Sequence, residues 1–326
     1  MRCRLVGSEM CIRDSLWTTS PSGSCTYLSK QWYEYTGNAP GSGLEYNWIN
    51  SVHPDDRQQT RAIFLDANLQ QQPFRIDYRL RDASGHYRWV IAAAMPRFDD
   101  DNHYLGFVGC VFDISERRQM EAILDGQKLI LELGMRNVAL PEILSTVAQT
   151  LESLSHNDVR ACISLFDEKS AQLVHGASPN LPRVFSERIN TFRAAANAGA
   201  CGAAAYSGQP IFIADMATDH RCELLHDILP EVGLHSCMST PIYADERLLA
   251  TVALFYGKPK IAPDADDQRI IKIFASTISL VVSKVLDAEL RRAADERRRA
   301  SEAALREADK RKDEFLATLA HELRNP

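Results

Sequence analysis

The first half of the chain contains three segments in which apolar and polar side chains alternate. They cover residues 74–80 (FRIDYRL), 87–91 (YRWVI) and 106–112 (GFVGCVF). A period of two is typical of β-strands, and it predicts an antiparallel sheet with one buried face. Upstream, the turn HPDD at residues 53–56 places aspartates where a helix would begin, so a helix is predicted from there through Leu65.

The second half again mixes helical and strand patterns. Pro141 is a favourable first-turn residue, and the chain from there to Leu154 is predicted to be a helix. Strands and helices therefore occur in both halves, and the predicted fold class is α+β with two separate cores. The predicted strands after this helix cover residues 160–166, 172–176, 209–213, 237–243 and 248–256.

The last part of the chain has the composition of a long helix. Residues 283–312 contain neither Gly nor Pro and consist mainly of Ala, Glu, Arg, Lys and Leu. An imperfect heptad seam predicts a parallel coiled coil and hence a homodimer. A single solvated helix with charge pairs along its surface is the alternative. The seam consists of Leu286, Leu290, Ala293, Leu305, Ala308, Leu316, Leu319 and Leu323.

Composition and charge narrow the class of protein. The 326 residues suit about two domains. Lys and Arg number 37 against 43 Asp and Glu, for a net charge of -6, and no basic surface with interleaved aromatics is evident, so no nucleic acid is expected as a partner. No apolar run approaches the roughly 20 residues of a spanning helix, so no membrane segment is expected and a cytoplasmic location is predicted. The eight cysteines include no CxxC pair, which favours reduced thiols.

Four motifs of the first half carry a family resemblance. WYEYTG, WINSVHPDDR, FRIDYRLRDASGHYRWV and GFVGCVFDISERRQMEAIL together resemble a PAS domain with its C-terminal extension. The resemblance implies an antiparallel sheet with flanking helices and a sensory role. Aromatic residues of this region are expected mainly to fill the core, with a ligand pocket as the alternative. These are Trp32, Tyr33, Tyr35, Trp48, Tyr78 and Trp89.

The second half resembles a GAF domain. The motifs are AGACGAAAYSGQPIFIADMATDH, LHSCMSTPIYADERLLATVALFYGKPKIAPD and DDQRIIKIFASTISLVVSKV, which in that family form the pocket helix, the central strands and the exit helix. A shared fold does not identify a ligand, so the small molecule that this domain would bind is not predicted.

Cysteines and histidines of the second half are the candidates for sensory chemistry. Cys201, in the sequence AGACG, is a weak candidate for contact with a ligand or cofactor, and close packing of small residues is the alternative. A second group spans eighteen residues, but its spacing matches no zinc pattern, so no metal site is predicted. This group consists of His220, Cys222, His226, His235 and Cys237.

Residues 312–326 (KDEFLATLAHELRNP) resemble the phosphoacceptor segment of sensor histidine kinases of the two-component family. The resemblance implies that His321 accepts a phosphoryl group, that Glu322 acts as its acid or base, and that Asn325 positions water in the reverse phosphatase reaction. Imidazole suits this role because its neutral nitrogen is nucleophilic near pH 7. HELRN also begins like the zinc motif HExxH, but Asn325 stands where the second histidine would be, so zinc is not predicted.

The same resemblance implies further partners. ATP and Mg²⁺ would be bound by a catalytic domain of a parent enzyme, and a response regulator would receive the phosphoryl group. The chain has no phosphate-cradling glycine box and is expected to be a substrate of phosphorylation rather than a catalyst. The alternative function is a non-catalytic scaffold that heterodimerises with another kinase. A sensor that drives cyclic-dinucleotide synthesis is disfavoured by the phosphoacceptor segment.

The expected organisation follows from these resemblances. Both ends are expected to be artificial, with an adapter-like start and a reading frame truncated before an ATP-binding domain. The expected order is a non-native segment (1–15), a PAS domain (16–122), a linker helix (123–139), a GAF domain (140–285), a coiled coil (286–311) and the start of the dimerisation and phosphoacceptor helix (312–326).

Overall fold

The computed structural model describes residues 15–136, 138–155 and 158–324, with side chains up to residue 312. The chain divides into two compact units, one up to Ala122 and one from Ile123 onward. The expected non-native segment 1–15 lies outside the described residues except for Ser15. Within the described ranges, no helix combines the length and the apolar character needed to cross a membrane.

The first unit is a five-stranded antiparallel sheet covered on one face by helices. The strand order is β2-β1-β5-β4-β3, so the last strand of the unit, β5, lies in the middle of the sheet, beside the first. All three segments predicted from alternation are strands. The elements are β1 (Ser15–Thr19), β2 (Cys25–Leu28), α1 (Lys30–Thr36), a 3-10 helix (Asn47–Ser51), α2 (Pro54–Gln70), β3 (Phe74–Arg81), β4 (Tyr87–Phe98) and β5 (Tyr104–Asp113).

The HPDD turn joins α2 to the sheet. His53 precedes the helix, and its Nδ1 accepts a hydrogen bond from the backbone N–H of Asp55 at 3.3 Å. The carboxylate of Asp56 accepts from the backbone N–H, Nε and Nη2 of Arg79 at 2.9, 2.9 and 2.7 Å. These bonds, chiefly those from the guanidinium, lower the pKa of Asp56. The predicted helix start is therefore also the point at which α2 is fixed to β3.

The second unit is a six-stranded antiparallel sheet with helices on both faces. Its strand order is β8-β7-β6-β11-β10-β9, and β11 lies at the centre. The short helix α5 and the three-residue strand β8 were not predicted. Helix α3 (Ser115–Met135) begins in the first unit and ends in the second. The other elements are α4 (Leu140–Leu154), β6 (Val159–Asp167), β7 (Gln172–Ala177), α5 (Arg183–Arg188), β8 (Thr191–Arg193), α6 (Gly199–Ser207), β9 (Ile211–Ile213), a 3-10 helix (His220–Leu225), α7 (Leu229–Val232), β10 (Ser236–Ala244), β11 (Arg247–Tyr256) and α8 (Ala265–Arg324).

The two faces of this second sheet differ in chemistry. Side chains of successive residues alternate between the faces. One face packs large aliphatic residues such as Ile163, Val252 and Leu254 against α4 and the first turns of α8. The opposite face carries small and sulfur-containing residues, among them Cys162 and Cys237, and is covered by α6. A cavity lies on this second face.

Helix α8 is continuous from the core of the second unit to Arg324. One helix therefore contains the expected exit helix, the expected coiled coil (286–311) and the phosphoacceptor segment as far as Arg324. Phe274 and Ile278 near its start are buried, whereas every side chain from 289 to 312 is exposed. Leu290 and Leu305 of the heptad seam are 58% and 66% exposed. The second half of the helix thus leaves its own core and presents apolar side chains to solvent.

Candidate functional sites: two cavities and the terminal helix

The first unit contains a cavity between the inner face of its sheet and helices α1 and α2. Its volume is about 40 Å³. Rings from five different elements line it, and the central one, Phe64 of α2, makes edge-to-face contacts with Trp48 and Phe74 at centroid distances of 5.6 and 5.9 Å. The aromatic lining residues are Trp17, Trp32, Trp48, Phe64, Phe74 and Tyr78.

The expectation that the aromatics of this unit mainly fill the core holds only in part. Trp32 and Tyr78 are buried, and they line the cavity as well. Trp89 lies elsewhere, stacked under the guanidinium of Arg118 at 4.0 Å. Trp17, Phe64 and Phe74 were not singled out from the sequence, although they form half of the aromatic lining.

The start of α3 is tied to this sheet by the residues of the DISERR segment. The Oγ of Ser115 accepts a hydrogen bond from the backbone N–H of Trp89 at 3.0 Å and donates to the backbone carbonyl of Trp89 at 3.3 Å. Arg118 stacks on the Trp89 ring and forms an ion pair with Asp77 at 2.8 Å. The helix that leaves the first unit is therefore fixed to strands β3 and β4.

The second unit contains a cavity of about 70 Å³ on the face covered by α6. Its walls combine aromatic rings such as Phe185 and Phe255, which meet edge to face at 5.1 Å, with three thiols and two guanidinium groups. The thiols are those of Cys201, Cys222 and Cys237, and the guanidinium groups are those of Arg188 and Arg221.

Both arginines of this cavity are paired with aspartates. Arg221 donates from Nε and Nη2 to Asp219 at 2.9 and 2.6 Å, and these bonds hold the pKa of Asp219 at about 2. Arg188 donates to Asp227 at 2.9 Å and to the backbone carbonyl of Leu224 at 3.0 Å. The cavity is therefore polar at one side without carrying an uncompensated positive charge.

The cavity thiols are protonated at neutral pH. Burial raises the pKa of Cys222 to about 12, and it also raises the pKa of Cys201 and of Cys237. The nearby hydroxyls of Ser239 and Thr251 partly offset the effect of burial on the pKa of Cys201. A protonated thiol is a poor nucleophile, so these groups act as soft, weakly polar wall residues.

The predicted candidate Cys201 lies on α6, is 7% exposed and lines the cavity. Its role in binding stays a prediction. The other candidate residues are split between two environments: Cys222 and Cys237 are buried, whereas His220 and His235 are exposed and His226 bonds to the backbone carbonyl of Asp219. Within the ranges that the structure describes, no cluster of three or more His, Cys, Asp or Glu could hold a metal ion.

A buried carboxylate links the central strand of this unit to the terminal helix. Asp267, in the first turn of α8, accepts hydrogen bonds from the hydroxyl of Tyr256 at 3.0 Å and from Ser155 at 2.6 Å. Tyr256 is the last residue of β11 and directly follows Phe255, which lines the cavity on the opposite face of the sheet. Phe255, which lines the cavity, and Tyr256, which holds the start of α8, are therefore consecutive residues.

The predicted phosphoacceptor residues lie at the far end of α8. The backbone of His321 and Glu322 belongs to the helix, which ends at Arg324, and their side chains lie outside the described part of the structure. Asn325 lies outside the described residues altogether. Their roles stay predictions.

Comparison with known proteins agrees with the two folds. A family model described as the GAF domain matches residues 137–283, and one described as the PAS fold matches residues 26–111. The chain contains a PAS domain followed by a GAF domain. This is the domain content of a signalling sensor, and it confirms the predicted α+β fold class with antiparallel sheets and a long terminal helix.

Two curated proteins show sequence similarity. One is a methyl sulfide methyltransferase-associated sensor of Methanosarcina acetivorans, 24% identical over 277 residues, which are 84% of this chain and 28% of that protein. The other is the uncharacterized protein y4lL of Sinorhizobium fredii, 42% identical over 106 residues, which are 32% of this chain and 13% of that protein. The chain thus spans well under a third of the length of either relative.

Solved structures resemble each domain separately. A sensory box histidine kinase/response regulator from Burkholderia thailandensis is 27% identical, with a TM-score of 0.30, covering 37% of this chain and 91% of that one. The GAF domain of an Acinetobacter phosphoenolpyruvate-protein phosphotransferase is 14% identical, with a TM-score of 0.40, covering 51% of this chain and 96% of that one.

Proposed function

We propose that this chain is the sensory and phosphoacceptor portion of a two-component sensor histidine kinase that acts in the cytoplasm. A signal bound by the PAS or GAF domain is transmitted along α8 to His321. The imidazole takes the terminal phosphoryl group of ATP, which a catalytic domain presents with Mg²⁺, and passes it to a response regulator. Glu322 accepts the proton of the imidazole, and Asn325 positions water in the reverse phosphatase reaction.

The observation that carries this proposal is the sequence KDEFLATLAHELRNP at residues 312–326. Fifteen consecutive residues resemble the phosphoacceptor segment, and those as far as Arg324 form the end of a helix that begins in the GAF core. A histidine on a helix surface is usually a solvated residue without a role. The match of the surrounding residues, together with the two sensory domains, favours the phosphoacceptor role.

A homodimer is part of the proposal. Leu290 and Leu305 are exposed on α8, where every described side chain from 289 to 312 faces solvent. A helix with an apolar stripe is stabilised when that stripe is buried against a partner, and a second copy offers a matching stripe in register.

Signal transmission is proposed to begin at the GAF cavity. A ligand that moves Phe255 acts on Tyr256, whose hydroxyl bonds to Asp267 in the first turn of α8. A ligand shifts the equilibrium between two conformations of the protein only if it binds one conformation more tightly than the other. The proposed change is a shift of α8 that alters access to His321.

Phosphorylation by a catalytic domain supplied in trans tests the proposal. The chain is incubated with ATP, Mg²⁺ and the purified catalytic domain of a related histidine kinase, and acid-labile phosphate is measured. We expect label on the wild type and on His235→Gln, an exposed-histidine control, and none on His321→Gln. Glu322→Gln should slow labelling by roughly 100-fold, because it removes the proton acceptor.

Label that persists in His321→Gln would disprove the assigned acceptor. Absence of label with catalytic domains from several kinases would favour the alternative function, a scaffold that pairs with another kinase without being phosphorylated.

A further inference from the structure

The second half of helix α3 packs directly against α8. Gly126 and Gly134 lie about two turns apart on the buried face of α3. A Cβ at Gly126 would lie 2.6 Å from the methyl group of Thr150 and 3.2 Å from the ring of Phe274, and one at Gly134 would lie 3.0 Å from Val281. A glycine inside a helix costs about 1 kcal/mol relative to alanine. The closeness of the neighbouring helices explains why both positions are glycine.

Hydrogen bonds join the same two helices. The side-chain amide of Gln127 donates to the backbone carbonyl of Ile273 at 3.2 Å and to the hydroxyl of Thr277 at 2.9 Å. Lys284 donates from Nζ to the backbone carbonyl of Gly134 at 3.2 Å. The contacts advance along both helices together, so α3 and α8 run in the same direction. Polar contacts therefore hold α3 against α8 at both ends of the stretch that they share.

The other end of α3 is held by the PAS sheet. Ser115 bonds to the backbone of Trp89, and Arg118 stacks on the Trp89 ring and pairs with Asp77. The helix is continuous from Ser115 to Met135, a length of about 30 Å. A continuous helix acts as one stiff element that can carry a displacement from one end to the other. A change in the PAS sheet that moves the start of α3 therefore reaches the residues that contact α8.

This contact reaches α8 at a different level from the link that starts at the GAF cavity. That link ends at Asp267, in the first turn of α8. Thr277, which accepts from Gln127, lies further along the helix by about 15 Å. The PAS and GAF domains are thus connected to successive parts of the helix that ends in the phosphoacceptor segment.

We propose that the PAS domain controls α8 through α3, by a route that does not pass through the GAF cavity, so that α8 combines two inputs. A shift of α3 changes how Gly126 and Gly134 meet α8, and it biases the same equilibrium of α8 as a GAF ligand does. The inference rests on the proposed sensory role of the two domains. It does not require His321 to accept a phosphoryl group.

Amide hydrogen exchange of the full chain, measured by mass spectrometry, tests this route. Ser115→Ala combined with Arg118→Ala loosens α3 from the PAS sheet at a point outside the GAF domain. We expect exchange in residues 273–284 of α8 to become about threefold faster or more, and exchange in residues 267–271 to stay within about 1.5-fold. Arg117→Ala is the matched control, because this side chain is 71% exposed and pairs with Glu121 of the same helix. It should leave both segments unchanged.

A second pair of substitutions separates transmission from simple packing. Gln127→Leu combined with Lys284→Met keeps the approximate size of both side chains and removes the hydrogen bonds between α3 and α8. In this background, Ser115→Ala with Arg118→Ala should change exchange in residues 273–284 by less than about 1.5-fold. Substitutions that act independently would instead give the same increase in both backgrounds.

Unchanged exchange in residues 273–284 after α3 is loosened would overturn the proposal and leave α3 as a cover of the GAF core. An equal increase in both backgrounds would overturn it as well. Circular dichroism and tryptophan fluorescence establish that each variant is folded. Absence of phosphate on His321 would leave these exchange rates unaffected, so a failure of the phosphoacceptor assignment and a failure of this route are distinguishable.

Discussion

The PAS and GAF domains each contain a small cavity lined by aromatic rings, and the two walls differ in their other side chains. The PAS cavity, about 40 Å³, has one thiol and no charged residue, whereas the GAF cavity, about 70 Å³, has three thiols and two paired arginines. Both are formed between an antiparallel sheet and a covering helix. The comparison teaches that similar architectures in one chain carry walls of different polarity.

The covering helices explain part of this contrast. In the PAS domain α2 presents Thr60 and the bulky Phe64 to the sheet. In the GAF domain α6 has the sequence GACGAAAYS, and its small side chains bring the backbone close to the strands. A Cβ at Gly202 would lie 2.6 Å from the Cβ of Ala198 and 3.0 Å from the carbonyl oxygen of Arg193. Position 202 therefore has no room for a side chain, and the neighbouring buried residues of α6, Ala200, Cys201, Ala203 and Ala204, are all small.

Alkaline pH should separate the two domains most strongly. Burial raises the pKa of four GAF thiols, Cys162, Cys201, Cys222 and Cys237, and that of Cys25 in the PAS domain. The unfolded chain loses these protons near pH 9 while the folded chain keeps them, so stability that is present below pH 9 falls as the pH rises. Tyrosines with raised pKa add about 0.4 kcal/mol each by pH 10, and these are Tyr35, Tyr78 and Tyr104 in the PAS domain and Tyr256 in the GAF domain. Between pH 8 and pH 10 the GAF domain should lose about 4–6 kcal/mol and the PAS domain about 2–3 kcal/mol.

Scanning calorimetry at pH 8, 9 and 10 measures this loss. The PAS transition is assigned by tryptophan fluorescence, because all four tryptophans lie in that domain. Cys222→Ala is the matched variant, and its GAF domain should lose about 1.4 kcal/mol less over the same interval. Equal pH dependence of the two transitions would contradict the expectation that the larger number of buried thiols makes the GAF domain more sensitive to alkaline pH.

Much of this contrast could not have been predicted from the sequence. Alternation in 74–80 and 106–112 was enough to predict strands, because the side-chain period is a local property. The cavity linings depend on residues far apart in the chain, and Trp17 joins the PAS cavity only because β1 pairs with β5. No local pattern indicates that pairing.

The GAF site shows the same limit. Cys222 and Cys237 were considered with three histidines because all five are metal-binding residue types close in sequence. Strand β10 is buried on both faces at Cys237, whereas His235 precedes the strand and is exposed. Residue type alone drew attention to Cys222 and Cys237, and only the fold shows that they line one cavity.

Truncation of the central ring should destabilise the PAS domain and leave the GAF domain unchanged. Phe64 is 3% exposed and touches the rings of Trp17, Trp48, Phe74 and Phe107. Phe64→Ala should therefore lower the free energy of unfolding of the PAS domain by about 3–5 kcal/mol. Urea denaturation followed by tryptophan fluorescence measures the change.

The neighbouring residue provides the control for Phe64. Leu65 lies on the same helix and is 39% exposed, so Leu65→Ala should cost well under half as much. A cost for Leu65→Ala that equals the cost for Phe64→Ala would show that α2 is not held by its inner face.

Loss of the Tyr256 hydroxyl should weaken the attachment of α8 to the GAF sheet. Tyr256 is 1% exposed and donates to the buried carboxylate of Asp267. Tyr256→Phe should lower GAF stability by about 1.5–3 kcal/mol, because the carboxylate loses a donor inside the protein. Calorimetry measures the GAF transition. Tyr243→Phe, at a tyrosine that is 37% exposed, is the control and should change it by less than about 0.5 kcal/mol. No difference between the two variants would remove the proposed link between cavity and helix.

The smallest expected effect concerns Cys201, which lies near the hydroxyls of Ser239 and Thr251. These two hydroxyls are buried and have no hydrogen-bond partner among the described residues. A serine at this position is slightly smaller and can offer them a hydrogen bond, so Cys201→Ser should change GAF stability by less than about 1 kcal/mol. Cys201→Val fills more space and offers no polar group, and it should cost about 1–3 kcal/mol by overpacking α6 against the sheet. Calorimetry at pH 7 distinguishes the two. If serine costs as much as valine, the two hydroxyls do not reach this position, and serine gains no polar contact between α6 and the sheet. If serine is tolerated as expected, Cys201→Ser becomes the variant with which to test ligands of the GAF cavity, because it replaces the sulfur while the fold is kept.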